Sequence, residues 1–181
     1  MTVRSWLRRA RRALLAAGTT AVLAAGVVTG TAATSQAATQ GPCDIYAAGG
    51  TPCVAAHSTT RALFASYSGP LYQVQRASDS ALRDIGVVSA GGVADAAAQD
   101  SFCAGTTCTI TRLYDQTGDG NTLVYQGPGG TGGADTAATA TTEAVSVGGQ
   151  KAYALYINPG NSYFAYNSTG GVPTGSSPEG E

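Results

Sequence analysis

Four cysteines, Cys43, Cys53, Cys103 and Cys108, constrain this 181-residue chain more than any other feature. Their meaning depends on where the chain folds, and the N-terminus speaks to that. Met1 to Arg12 carries Arg4, Arg8, Arg9, Arg11 and Arg12 and no acid. Ala13 to Val28 is uncharged and apolar, and small residues follow through Thr31-Ala32-Ala33-Thr34-Ser35-Gln36-Ala37-Ala38. A basic start, an apolar middle and a small-residue cleavage site are the parts of a secretory signal. Residues 1–37 are therefore expected to be a signal peptide, cut after Ala37 or Ala38, with a twin-arginine route as the minor option. The apolar run is shorter and weaker than the ~20 apolar residues of a membrane span. The expected destination is extracellular, with no membrane contact after cleavage.

In an exported chain an even cysteine count reads as disulfides. Three pairings exist. The local one, Cys43–Cys53 and Cys103–Cys108, closes two short loops and is preferred. Zinc is the weaker alternative, because the chain has one histidine, His57, and no C-x-x-C.

Cleavage also changes the charge. Five of the ten basic residues leave with the signal. Arg61, Arg76, Arg83, Arg112 and Lys151 remain against eleven acids, a balance of minus six. An acidic surface repels phosphate backbones, so nucleic acid is not an expected partner, whereas neutral polymers are compatible.

The rest of the chain, 38–181, reads as one mainly β domain with one or two short helices. Thr51-Pro52 supplies a cap and a first-turn proline, so a helix is expected over Cys53 to Tyr67, with Leu63, Phe64 and Tyr67 on one face. Thr39 to Pro42 reads as a leader. Leu71 to Arg76 and Asp84 to Val88 read as strands, and Ala94 to Phe102 as a short helix. Thr107 to Asp115 is the clearest strand, with Cys108, Ile110, Arg112 and Tyr114 on one face. Gln116 to Asn121 is a turn that needs positive φ, and Leu123 to Tyr125 is extended. Ser146-Val147, Gly148-Gly149 and Gln150 to Ile157 read as a hairpin with a two-residue turn. Many short strands with Gly-rich turns indicate a sandwich or barrel. Few strong strands precede the end of the chain, so an incomplete β-sandwich is expected.

Candidate chemistry is sparse. Asp115 and Asp119 flank a turn and Asp100 precedes a cysteine, yet aspartates in turns mostly bond backbone amides. His57 has Ser58, Thr59 and Thr60 beside it, but neighbours in sequence do not face each other on a helix. Gly127 to Gly133 lacks the Lys-Ser/Thr of a phosphate loop and reads as a connector. Ala134 to Thr142 is a low-complexity tract. Tyr163, Phe164 and Tyr166 could stack on sugar rings, although packing is the commoner role of such clusters. Asn167-Ser168-Thr169 matches a glycosylation sequon. No cofactor is implied.

Several stretches taken together resemble a known family. Gly41-Pro42-Cys43-Asp44-Ile45-Tyr46, Thr51-Pro52-Cys53-Val54-Ala55-Ala56-His57-Ser58-Thr59-Thr60-Arg61-Ala62-Leu63 and Gly69-Pro70-Leu71-Tyr72-Gln73-Val74 are similar to the start of the mature alpha-L-arabinofuranosidase B family, glycoside hydrolase family 54. So are Asp84-Ile85-Gly86-Val87, Asp100-Ser101-Phe102-Cys103, Tyr114-Asp115-Gln116-Thr117-Gly118 and Gly149-Gln150-Lys151-Ala152-Tyr153. The resemblance runs from about Gly41 to about Asn158. It implies a concanavalin-like β-sandwich and the same local disulfides. It also implies release of terminal L-arabinofuranose from arabinoxylan or arabinan with retention, through two carboxyl groups ~5–5.5 Å apart. In the family those carboxylates, a vicinal cysteine pair and an arabinose-binding module lie further along. The chain is thus expected to be the N-terminal part of such a domain, with no catalytic residue of its own. Glu179 and Glu181 match the approach to a strand rather than a nucleophile.

Overall fold

A computed structural model describes residues 40–125, 135–165 and 170–171. The expected signal peptide, the Gly127 to Gly133 connector, Tyr166, the sequon, Glu179 and Glu181 lie outside them. None of the helices among the described residues is long and apolar enough to cross a membrane.

The order of elements is α1 (Pro42–Ala48), β1 (Pro70–Arg76), β2 (Leu82–Gly86), α2 (Ala96–Phe102), β3 (Cys108–Leu113), β4 (Leu123–Tyr125), β5 (Glu143–Val147), β6 (Gln150–Ala154) and β7 (Tyr163–Phe164). Five strands form an antiparallel sheet in the order β2-β1-β3-β4-β7, and β5 and β6 form a separate hairpin. Its two-residue turn, Gly148-Gly149, has φ of 58° and 79°. Both values suit the turn whose twist matches the flanking strands. Gly118 and Gly120 likewise take positive φ in the turn after β3.

The first helix is not where the Thr51-Pro52 signal put it. It lies at Pro42–Ala48, starting where the expected leader ends, and residues 51–69 contain no helix. Pro42 opens α1 with no amide to satisfy. Asp44 accepts the free Gly41 amide at 2.8 Å, and Gly50, at φ 84°, ends the helix. Over 53–67 the amides are claimed from elsewhere. Ala56 N–H donates to Asp115, Leu63 N–H to Gln116, and Ala65 N–H to Asp44. A helix there would have to give up all three. Cys53 is also bonded to Cys43 of α1, which holds the start of the segment against that helix.

Strand β3 corrects a second expectation. Gln73 of β1 pairs with Arg112, but Val74 pairs with Ile110, so Thr111 is an extra residue in the ladder. Such a bulge shifts the alternation by one. Cys108 and Ile110 point into the core, and beyond the bulge Leu113 is buried while Arg112 is exposed.

The core is built from Leu71, Tyr72, Val74, Ile85, Ile110 and Leu113, with Ala94, Ala140 and both Cys103 and Cys108 around them. A buried polar relay crosses it. The Tyr72 hydroxyl donates to Gln99 Oε1 at 2.6 Å, and Gln99 Nε2 donates to the Ala140 carbonyl at 2.9 Å. This ties β1 to α2 and α2 to the Ala/Thr tract. Burial pushes the Tyr72 hydroxyl far up, so it stays a donor. The tract itself is structural. Ile110 N–H donates to Ala138 O, and Ala140 N–H to Cys108 O. It therefore flanks the first half of β3 where β4, paired only with Arg112 and Leu113, does not reach. Ala138 and Ala140 are fully buried, and small side chains let the backbones approach this closely.

The disulfides take the local pairing: Cys43–Cys53 and Cys103–Cys108, with Cα separations of 5.6 and 5.8 Å. All four sulfurs are committed to them, so none is left as a zinc thiolate. Cys103 caps the end of α2 and Cys108 begins β3, so the second bridge fixes the turn between them.

Candidate functional site

Among the described residues most aspartates are held by the fold rather than gathered into a cleft, and Glu143 stands exposed on β5. Asp115 follows β3 directly. Its Oδ1 accepts the amides of Ala56 and Thr117, each at 3.0 Å. Its Oδ2 accepts the Thr117 hydroxyl at 2.7 Å and the Asn121 amide at 3.0 Å. Burial works to raise this carboxyl, but the bonds from Thr117, Ala56 and Asn121 outweigh it and hold it below the usual carboxylate range. A group so stabilised as the anion suits neither a proton donor nor a free nucleophile.

Asp119, four residues on, lies on the exposed side of the same turn, its backbone amide donating to the Thr117 hydroxyl at 3.1 Å. Gly170 and Gly171 lie so close that a Cβ on either would overlap Asp119. Asp100, at the end of α2, accepts Lys151 Nζ at 2.8 Å and the Tyr153 hydroxyl at 2.7 Å, both from β6. Burial opposes its ionisation, and these two donors more than compensate, so its carboxyl is lowered. Asp84 accepts from Gln73 and Tyr114 on the face of the sheet. Burial and then Asp84 push the Tyr114 hydroxyl up to about 12. Asp44 and Asp95 bond helix amides, Asp79 pairs with Arg76, and Asp135 accepts from Ser162.

The turn from Asp115 to Asn121 organises a wider region. Gln116 Oε1 accepts the Leu63 amide, and the Gln116 backbone N–H donates to Ala56 O. Asn121 Nδ2 donates to the carbonyls of Val54 and Gly170. His57 Nε2 lies 2.7 Å from Asn121 O. Gln116 and Asn121 are buried. The sequence reads as a turn with two candidate carboxylates, and nothing local announces that its polar side chains bond backbone some fifty to seventy residues earlier.

Of the aromatic cluster, Tyr163 is committed to the fold. Its hydroxyl donates to Ile110 O at 2.7 Å and accepts the Ala138 amide at 2.8 Å. Phe164 sits in β7, opposite Val124.

One groove stands out, with a volume of about 290 Å³. It is lined by His57, Ser58, Thr59, Thr60, Leu113, Ala154 and Leu155 and holds no carboxylate. Sequence reasoning singled out His57 but not the hydroxyl run after it as a wall. The run's only signal was its composition, and its placement opposite β6 is a tertiary fact. No group of three or more potential metal ligands occurs among the described residues.

Comparison with known proteins agrees with this scaffold. Residues 42–181 match the family model described as alpha-L-arabinofuranosidase B, catalytic. A probable alpha-L-arabinofuranosidase B of Aspergillus fumigatus is 58% identical over 156 residues, covering 83% of this chain and 31% of the relative. The alpha-L-arabinofuranosidase B of Emericella nidulans is 55% identical over 153 residues, covering 82% and 30%. The chain thus spans about a third of the length of the curated relatives it matches. A crystal structure of an arabinofuranosidase complexed with arabinofuranosyl-alpha-1,2-xylobiose aligns with a TM-score of 0.69 at 55% identity, over 72% of this chain and 28% of that one. An alpha-L-arabinofuranosidase of glycoside hydrolase family 54 soaked with a cyclic sulfate inhibitor aligns at 0.65 and 56%, over 68% and 27%. The likeness identifies the two antiparallel sheets as those of the family's β-sandwich.

Proposed function

This chain belongs to the alpha-L-arabinofuranosidase B catalytic family, and from that premise we propose that it supplies the framework of a secreted, retaining arabinofuranosidase domain without contributing the catalytic carboxylates. The substrate class is terminal L-arabinofuranose on arabinoxylan or arabinan. The relative crystallised with arabinofuranosyl-xylobiose supports that choice. Two disulfides support export, since such bridges persist in oxidising compartments, and the basic, then apolar, start supports a cleaved signal over 1–37.

The observation that carries the second half of the proposal is the state of the acids. Retaining glycosidases need two carboxyl groups ~5–5.5 Å apart, one ionised and one able to donate a proton. The groove has none, and Asp115, Asp100 and Asp84 each hold fold contacts. The purified, disulfide-bonded chain is therefore expected to leave an aryl alpha-L-arabinofuranoside intact. Robust turnover, abolished by a single Asp or Glu replacement, would overturn the proposal.

A further inference from the structure

The groove has two unlike walls. Leu113, Ala154 and Leu155 form an apolar one; His57, Ser58, Thr59 and Thr60 form a polar one. Ser58 Oγ is occupied, accepting the amides of Thr60 and Arg61. Thr59 differs. It is 6% exposed, lines the groove, and among the described residues its hydroxyl has no hydrogen-bond partner. Gln116 Nε2 is the one fully buried side-chain polar atom without a partner among the described residues, so the Thr59 hydroxyl still opens to the groove, free both to donate and to accept.

His57 adds a second unused group. Its Nε2 faces the Asn121 carbonyl, and a carbonyl can only accept. Nε2 therefore carries the proton, and in the neutral ring Nδ1 is left as an acceptor. No lysine, arginine or acid lines the groove, so a charged ligand would be buried without a counter-ion.

We propose that this groove is a subsite for one neutral sugar ring. The apolar face of the ring lies against Leu113 and Leu155. One ring hydroxyl donates to His57 Nδ1, and another bonds the Thr59 hydroxyl. The inference rests on the carbohydrate-active reading above, but it needs no catalytic carboxylate, so it is tested by binding and not by turnover.

The test is an NMR titration of the full disulfide-bonded chain with methyl alpha-L-arabinofuranoside and, separately, methyl beta-D-xylopyranoside. The two arms tell a side-group ring from a backbone ring. Saturable shifts are expected with at least one of them, centred on His57, Thr59 and Leu155, with affinity on the order of millimolar, as suits a single ring. Thr59→Val keeps the shape, removes the hydroxyl and is expected to weaken binding by roughly five- to tenfold. Ala154→Leu fills the groove and is expected to abolish it. Each variant's amide spectrum reports whether it remains folded.

Absence of saturable shifts with both sugars overturns the proposal. So does unchanged binding in both folded variants. Shifts that grow with protein concentration and not with sugar also overturn it, since they mean that a second copy covers the groove. Turnover of the aryl arabinofuranoside moves independently of all these readouts. An active chain with an empty groove defeats the subsite and the framework proposal separately, and an inactive chain that binds sugar keeps both.

Discussion

The Asp115 carboxylate accepts the backbone amide of Ala56, fifty-nine residues earlier, at 3.0 Å. That bond explains why the segment after the first disulfide is not a helix, and it makes Asp115 a support for the groove wall that begins at His57. Asp115→Ala leaves the amides of Ala56, Thr117 and Asn121 without their acceptor. Ala56 and Asn121 are buried and each unsatisfied buried group costs about 1–3 kcal/mol, so a loss of at least about 2 kcal/mol is expected in urea unfolding. Asp115→Asn keeps the shape and one acceptor oxygen and should lose less. Wild-type stability in Asp115→Ala would refute the role.

The same carboxylate sets a pH dependence. Its folded pKa lies below its unfolded value. The stabilisation it provides is thus fully present above the unfolded carboxylate range and is lost as pH falls through the lower, folded value. Wild type should therefore weaken steadily on acidification below the ordinary aspartate range, and Asp115→Asn should show a flatter profile there. Parallel profiles from urea midpoints between neutral and acid pH would count against it.

Tyr163 provides a test of packing against sugar stacking. Tyr163→Phe keeps the aromatic face but removes the bonds to Ile110 O and from the Ala138 amide. Burial raises the Tyr163 hydroxyl, with the Ala138 bond acting the other way. The expected effect is a loss of about 1–3 kcal/mol, with amide exchange faster around Ala138. An unchanged melting curve would refute this structural role of the Tyr163 hydroxyl.

The α2–β6 contact is expected to rest on the tyrosine more than the lysine. Lys151 and Asp100 are about half exposed, at 50% and 41%, and water screens such ion pairs so that they contribute little. Tyr153 is buried, at 6%, and gives Asp100 a charge-assisted bond worth about 1.5–3 kcal/mol. Tyr153→Phe should therefore destabilise more than Lys151→Ala. A double-mutant cycle with Asp100→Asn checks this; equal coupling energies would contradict it.

Sequence patterns located β1, α2, β3 and the β5–β6 hairpin because each is specified by its own residues. Alternation marks Leu71 to Arg76, and Gly148-Gly149 supplies the two left-handed residues that the hairpin turn requires. The cysteine pairing was within reach for a related reason: short loops close more readily than long ones. Of the groove, His57 alone drew notice, and only as a weak catalytic candidate.

Local chemistry thus determined which segments extend, where chains turn tightly, which sulfurs lie near each other, and which family the chain resembles. Tertiary structure decided the rest. The Thr51-Pro52 signal was overridden because Asp44, Asp115 and Gln116, distant in sequence, offered the following amides partners that a helix could not match. The phase of β3 changed at Thr111 because its neighbour strand had one residue fewer to pair. The Ala/Thr tract entered the core because β4 left half of β3 uncovered. Each outcome depends on groups brought together only when the whole sheet assembles. A hydrogen bond between residues some fifty apart leaves no local trace, however strongly it holds the folded chain.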